Sequence, residues 1–276
     1  MKNSLYPNYQ FPSFAINNQI RTRLKRFVRE YIPGYNREQP KKPKANSRSL
    51  DPLNFSQLPL SGLCKLLKTK TEIDLCTTWL HTNGLTSHVS VCKDWDLAHV
   101  ISAIGDGNVL DMGSSDSYIL ENLSLLRRNG DLYGIDLRKP DRKIHGVKYI
   151  VGDLMNTELP TGYFRYITCL SVIEHGVDIA RFAQESARLL EPQGKLFVTY
   201  DYWNPRIQSE LKLFGLEWQP LDKVNVERLV EDCKHNNLFA VEEIDWITDE
   251  AVINSEYYSP IADLSYTFGM TVFEKR

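Results

Sequence analysis

The chain has 276 residues, 42% of them hydrophobic and 25% charged, with a formal net charge of −2. That is the composition of an ordinary globular protein with one large core and room for an extension. No run of eighteen apolar residues is present, which excludes a membrane-spanning helix. The N-terminus shows no apolar signal region, so a cytoplasmic location is expected. Five cysteines (Cys64, Cys76, Cys92, Cys169 and Cys233) are odd in number and lack metal-ligand spacing, so no metal site is expected.

The charge is unevenly spread. Residues 1–50 carry eleven Lys or Arg against two Glu, leaving the remainder strongly acidic, which argues against a nucleic-acid surface on the main body. Within residues 1–49, Ile20, Leu24, Phe27, Val28 and Tyr31 recur at helical spacing, and Arg21, Arg23, Lys25, Arg26 and Arg29 fill the other face. Pro33-Gly34 stops this helix, and the Pro/Lys-rich stretch from Gln39 to Ser49 reads as a solvated linker. Three occupants suit the apolar stripe of residues 20–31: the chain's own body, a partner protein, or an anionic membrane surface, the last giving a membrane-peripheral location. The oligomeric state is not legible.

Residues 50–276 read as one α/β domain. Its first part, 50–100, is a helical cap layer: Leu63, Leu66 and Leu67 cluster, Trp79, Leu80, Leu85 and Trp95 suggest a lid, and Asp94–Ile101 forms a helix before the first strand. His81, His88 and His99 in this layer read as surface or packing residues. Val109-Leu110-Asp111-Met112-Gly113-Ser114-Ser115-Asp116-Ser117 then reads as a buried strand, a tight turn of small residues and a helix start. Tyr133-Gly134-Ile135-Asp136 is a second strand ending in an acid, and Lys148 to Asp153 a third. Tyr166 to His175 is a fourth strand running into a polar tip, followed by a helix from Asp178 to Leu190 that Pro192 and Gly194 break. Lys195 to Tyr200 is a fifth strand. Val226, Leu229, Val230 and Cys233 mark a further helix. Phe239 to Ile247 and Tyr266 to Phe273 are expected to close the sheet as an antiparallel pair. Two segments, 200–222 and 248–265, lie on the side where such sheets keep their ligands.

Strand–turn–helix followed by a strand-end acid suits an adenosine-containing cofactor. Asp111 and Asp116 flank the turn, and carboxylates there would repel a pyrophosphate but attract a cation. A sulfonium nucleoside therefore fits better than a dinucleotide. Taken singly, Asp111 also reads as a helix cap and Asp136 as a turn residue.

With these landmarks in series, residues 90–276 resemble the class I S-adenosylmethionine-dependent methyltransferases of the small-molecule and glycan type. The resemblance implies a Rossmann-like, seven-stranded, mostly parallel sheet with a terminal antiparallel strand, and S-adenosyl-L-methionine as cofactor. By resemblance, Asp111, Gly113, Ser114 and Ser115 approach the methionine end. Asp136 accepts from both ribose hydroxyls with Leu137 beside it. Asp153 and Leu154 lie at the adenine, and Ser171 ends the fourth strand beside the cofactor. Ser115 and Ser117 stand where the family most often has glycine.

Methyl transfer to a hydroxyl needs alignment and a base, because the cofactor already carries the activated methyl. His175, with Glu174, is the candidate base, the alternative being that this pair only orders its loop. Asp201 is the second-choice base. Tyr200, Tyr202 and Trp203 are the candidate acceptor lining, with core capping as the plain alternative for Tyr200 or Trp203. The expected reaction is methylation of a small-molecule or glycan hydroxyl. Methylation of a small amine, a non-catalytic binding module and a nicotinamide oxidoreductase are the competing readings.

Overall fold

The computed structural model describes residues 50–276 apart from 116, 127, 141, 142, 214, 249 and 255–263. The chain divides into two units, Met1–Asn46 and Ser47–Arg276, and all the described elements belong to the second. The basic helix expected over 20–31, the linker after it, Asp116, Phe214, Tyr257, Tyr258 and Pro260 lie outside the described residues.

A short strand β1 (Lys65–Leu66) opens the fold and is followed by helices α1 (Lys70–Thr82) and α2 (Asp94–Ala103). The alternation that builds the sheet starts with β2 (Val109–Met112), α3 (Tyr118–Leu125), β3 (Leu132–Asp136), β4 (Val147–Val151) and β5 (Phe164–Leu170). It continues through α4 (Ile179–Leu189), β6 (Leu190–Tyr202) and a two-stranded hairpin of β7 (Lys212–Leu213) and β8 (Leu216–Glu217). Helix α5 (Lys223–His235) and strands β9 (Leu238–Ala240) and β10 (Thr267–Lys275) complete it.

The strands of the main sheet run β1-β10-β6-β5-β2-β3-β4, with β9 also on β10. Pairing is parallel from β4 to β6, and β10 is antiparallel to β6. This is the expected mostly parallel sheet with a terminal antiparallel strand, enlarged to eight strands because Lys65 and Leu66 also pair with Met270 and Gly269.

Two cores sandwich the sheet, and strand alternation sorts residues between them. On β6, Leu196, Val198, Tyr200 and Tyr202 join the face covered by Phe182 and Ala183 of α4 and Val226 and Leu229 of α5. Phe197 turns to the other face, with Trp79, Leu80, Leu85 and Trp95. Those four residues are core and not the lid or entry layer expected of them. Helix α2 is buried from Asp94 to Ile101, the mark of a helix enclosed on all sides.

Several boundaries move. The helix after the fourth strand begins where Asp178 accepts from the backbone N–H groups of Ala180 and Arg181, and β6 follows it directly at Leu190. Strand β9 stops at Ala240, well short of Ile247. Among the described residues, no helix is long and apolar enough to cross a membrane.

Candidate active site

The C-terminal ends of the parallel strands hold the polar residues of interest. Asp111 faces Gly134 of β3 and Thr168 of β5 in register. Its carboxylate Oδ1 accepts from Thr168 Oγ1 at 2.6 Å. Burial pushes Asp111 up to about 6, against hydrogen bonds from Ser117 and Thr168, while the nearby Asp136 charge adds to the rise. The capping role belongs to Ser117, whose hydroxyl accepts from the Leu120 amide at 3.0 Å. Asp111 is thus a strand-end acid and not the cap of α3.

The turn after β2 needs glycine. Gly113 has φ +85°, and a Cβ built there would collide with Val172 Cγ2. Its amide and that of Ser114 both donate to the Ile135 carbonyl, at 2.8 and 3.2 Å. Asp136 ends β3 and bridges two segments. Its Oδ2 accepts from the Ser115 amide at 3.0 Å and its Oδ1 from the Arg138 amide at 2.8 Å. Arg138 also donates to Ser115 Oγ at 2.9 Å. Leu137 beside it is half exposed, an apolar surface at a strand end. Asp153 lies two residues past β4. Its Oδ1 accepts from the Met155 amide at 2.8 Å, and its Oδ2 is 3.8 Å from Arg181. Leu154 next to it is buried.

A second polar group gathers at the ends of β5 and β6. Ser171 adopts a left-handed conformation, φ 52°, directly after β5, and its amide donates to the Thr199 carbonyl at 3.0 Å. Glu174 is buried. Its Oε1 accepts from the Asp201 amide at 3.3 Å, while its Oε2 has no hydrogen-bond partner. Burial and the Asp201 carboxylate push the Glu174 carboxyl well up, with Lys93 pulling the other way. Asp201 Oδ2 accepts from the Trp218 indole N–H at 2.7 Å. His175 is partly buried, and its Nδ1 is 3.1 Å from the Glu217 carbonyl in the hairpin. A carbonyl only accepts, so Nδ1 carries the proton and the ring lone pair sits on Nε2. Burial pulls His175 below the ordinary imidazole value, opposed by that hydrogen bond and by Asp201.

The aromatic candidates separate. Tyr200 is fully enclosed, hydrogen bonds Thr271 Oγ1 at 2.9 Å, and fills the space over Gly269 that any Cβ would claim. Tyr202 packs on the same face, its ring 6.0 Å from that of Trp246. Both therefore point away from Asp201: the plain core reading holds for Tyr200, and Tyr202, expected only as lining, is core as well. Trp203 alone lies on the Asp201 face.

Sequence reading missed Lys93 and Asp96. Lys93 Nζ lies 3.4 Å from Asp96 Oδ2 and 3.8 Å from Asp201 Oδ1, and Thr199 Oγ1 donates to Asp96 Oδ2 at 2.9 Å. The visible signal was an acid-tryptophan-acid triplet at a helix start, which ordinary helix chemistry explains without a site. Among the described residues, no group of three or more His, Cys, Asp or Glu is arranged to hold a metal ion.

The first group fits a cationic nucleoside: an acid-lined turn without a Cβ at Gly113, a strand-end carboxylate with lone pairs to spare, and an exposed leucine for a base. A family model described as a methyltransferase domain matches residues 90–251, more than half of the chain. A ubiquinone biosynthesis O-methyltransferase from Sodalis glossinidius is 24% identical over 179 residues, which span 59% of this chain and 68% of that protein. Among solved structures, a Galdieria sulphuraria protein assigned as a sarcosine dimethylglycine methyltransferase superposes with a TM-score of 0.50 at 13% identity, covering 78% of this chain and 94% of that one. An S-adenosylmethionine-dependent methyltransferase from Mesorhizobium loti gives 0.49 at 12% identity, covering 67% and 98%. The chain belongs to the methyltransferase-domain family and is a class I S-adenosylmethionine-dependent methyltransferase.

Proposed function

We propose that the enzyme methylates a hydroxyl group of a small molecule or glycan, with His175 as the base. The observation that carries this reading is the 3.1 Å hydrogen bond from His175 Nδ1 to the Glu217 carbonyl, which orients the ring and leaves its basic nitrogen as Nε2. Burial keeps the imidazole neutral at physiological pH, the state a base requires. S-adenosylmethionine supplies an electrophilic methyl when bound. In this reading Asp136 takes the ribose hydroxyls, Asp111 and the Gly113 turn face the methionine end, and Leu137, Asp153 and Leu154 border the adenine. Trp203 and the 206–222 segment border the acceptor.

Methylation of a small amine is the second reading. It draws on the unpartnered buried oxygens of Glu174 and Asp96, which could accept from the N–H groups of an amine whose lone pair takes the methyl. Incubation of cell extract with enzyme and isotope-labelled S-adenosylmethionine, followed by mass spectrometry, separates the two. Label on a hydroxyl-derived ether supports the proposal, and label only on amines overturns it. On the labelled hydroxyl compound, His175→Ala is expected to lower turnover by ~100-fold with cofactor affinity nearly intact. Full activity in that variant ends the base assignment.

A further inference from the structure

We propose that Lys93 is a positioning residue of the methyl-transfer site, its ammonium tying helix α2 to the catalytic ends of β5 and β6. Four partners surround that ammonium. It donates to Ser171 Oγ. It forms ion pairs with Asp96 and Asp201 at 3.4 and 3.8 Å. It also sits over the Phe268 ring, 3.6 Å from the centroid. These partners come from α2, the β5 tip, β6 and β10, so one side chain joins four elements at this end of the sheet.

The placement is costly. Lys93 occupies the N-cap of α2 without capping it, and a cation at a helix N-terminus opposes the helix dipole. Asp94 and Asp96 in the first turn offset that field. Only 21% of the Lys93 side chain is exposed, against 2% for Asp96 and 9% for Asp201. Burial alone would pull the lysine down. The carboxylates of Asp96, Asp201 and Glu174 outweigh it and keep the ammonium charged.

Two consequences follow from the geometry. Ser171 holds a left-handed backbone that a residue with a Cβ adopts only when its surroundings impose it. The Lys93 hydrogen bond to its hydroxyl and the Thr199 carbonyl on its amide are those surroundings. Ser171 then sets the path of Val172 to His175, and so the position of Glu174 and His175. Separately, the ammonium offsets the charge of three carboxylates packed together. The titratable groups facing this cluster are Cys92 and Asp96 around the start of α2, His88 before it, Cys76 on α1, Cys169 on β5, Glu174 and His175 after β5, Asp201 on β6 and Tyr266 beside β10.

Lys93→Met and Lys93→Arg test the assignment in the full chain. Carbon-13 NMR follows the Glu174 carboxyl against pH, with the resonance identified by its loss in Glu174→Gln. This readout needs no acceptor, so it stands whether the acceptor proves to be a hydroxyl or an amine. Removing the ammonium in Lys93→Met should raise the Glu174 midpoint by about one pH unit or more, a tenfold change in proton affinity. With whichever acceptor is labelled, kcat should fall on the order of 100-fold while KM for S-adenosylmethionine moves little, the loss expected from misplaced groups. An unmoved Glu174 midpoint, or a kcat within about threefold of wild type, overturns the proposal. If Lys93→Met does not fold, Lys93→Arg decides, because it keeps the charge and changes the reach. It should hold the Glu174 midpoint within about half a pH unit and still lower kcat, and an unchanged kcat overturns the proposal.

Discussion

Asp111 and Asp136 show how two identical side chains acquire different tasks from their surroundings. Asp136 is a partly exposed strand-end carboxylate steadied by two backbone amides, so its remaining lone pairs suit paired hydroxyls. Asp136→Ala should weaken S-adenosylmethionine binding more than tenfold, about 1.4 kcal/mol, by isothermal titration calorimetry. Asp111 is buried and titrates near 6. Above that pH it is an anion, which in the proposed site faces a cationic cofactor, and below it that attraction is lost. Affinity for S-adenosylmethionine should therefore fall as pH drops through 6, and Asp111→Asn should flatten that dependence. A pH-independent affinity in the wild-type protein would remove Asp111 from the cofactor's surroundings.

The turn between β2 and α3 is the element on which the proposed cofactor site depends. Its strand and glycine turn were legible in the sequence because each obeys a local rule, a short apolar run and positive φ at glycine, whereas the cap read at Asp111 lies at Ser117. What local rules could not show is why glycine is needed at 113. The reason is Val172, which lies 59 positions along the chain and presses its methyl groups into the space over Gly113. Gly113→Ala should destabilise the protein by about 2 kcal/mol or more in urea unfolding, from left-handed strain and overpacking together. Adding Val172→Ala should recover the overpacking part alone. Complete recovery would show that backbone conformation costs nothing there.

The same distinction separates the aromatic residues of β6. Period-two alternation was available in the sequence, but which face was core and which faced the ligands was not. Tyr200 and Tyr202 were read as lining because they flank Asp201, yet neighbours in a strand point to opposite sides, and the Gly269 backbone receives the Tyr200 ring. Helix α2 misled in another way. Its acidic first turn compensates the helix dipole, as any helix start can, but Asp96 also binds the Lys93 ammonium and accepts from the Thr199 hydroxyl.

For the whole molecule, buried histidines make stability depend on pH. His99 is buried in the core between α1, α2 and the sheet. Its Nδ1 donates to the Trp95 carbonyl at 2.7 Å, and its Nε2 has no partner. Burial lowers its pKa to about 3. Between the ordinary imidazole value and that figure, the unfolded chain binds a proton that the folded chain refuses. Stability should therefore fall with acidification across this window, by at most about 1.4 kcal/mol per pH unit from this group. Urea midpoints measured from pH 7 to 4 should show that slope, and His99→Gln should make it shallower. His88, lowered by burial to about 4, contributes with the same sign.

The amino-acid order alone determined the parallel α/β alternation, the acid at each of three successive strand ends and the glycine turn, since these rest on periodicity and backbone sterics among near neighbours. Only the tertiary structure decided which residues meet at the ends of β5 and β6. Lys93, Ser171, Glu174 and Asp201 are up to 108 residues apart, and they meet because α2 packs across the ends of β5 and β6. A buried charge finds its partners through burial and three-dimensional proximity, and neither leaves a period in the sequence.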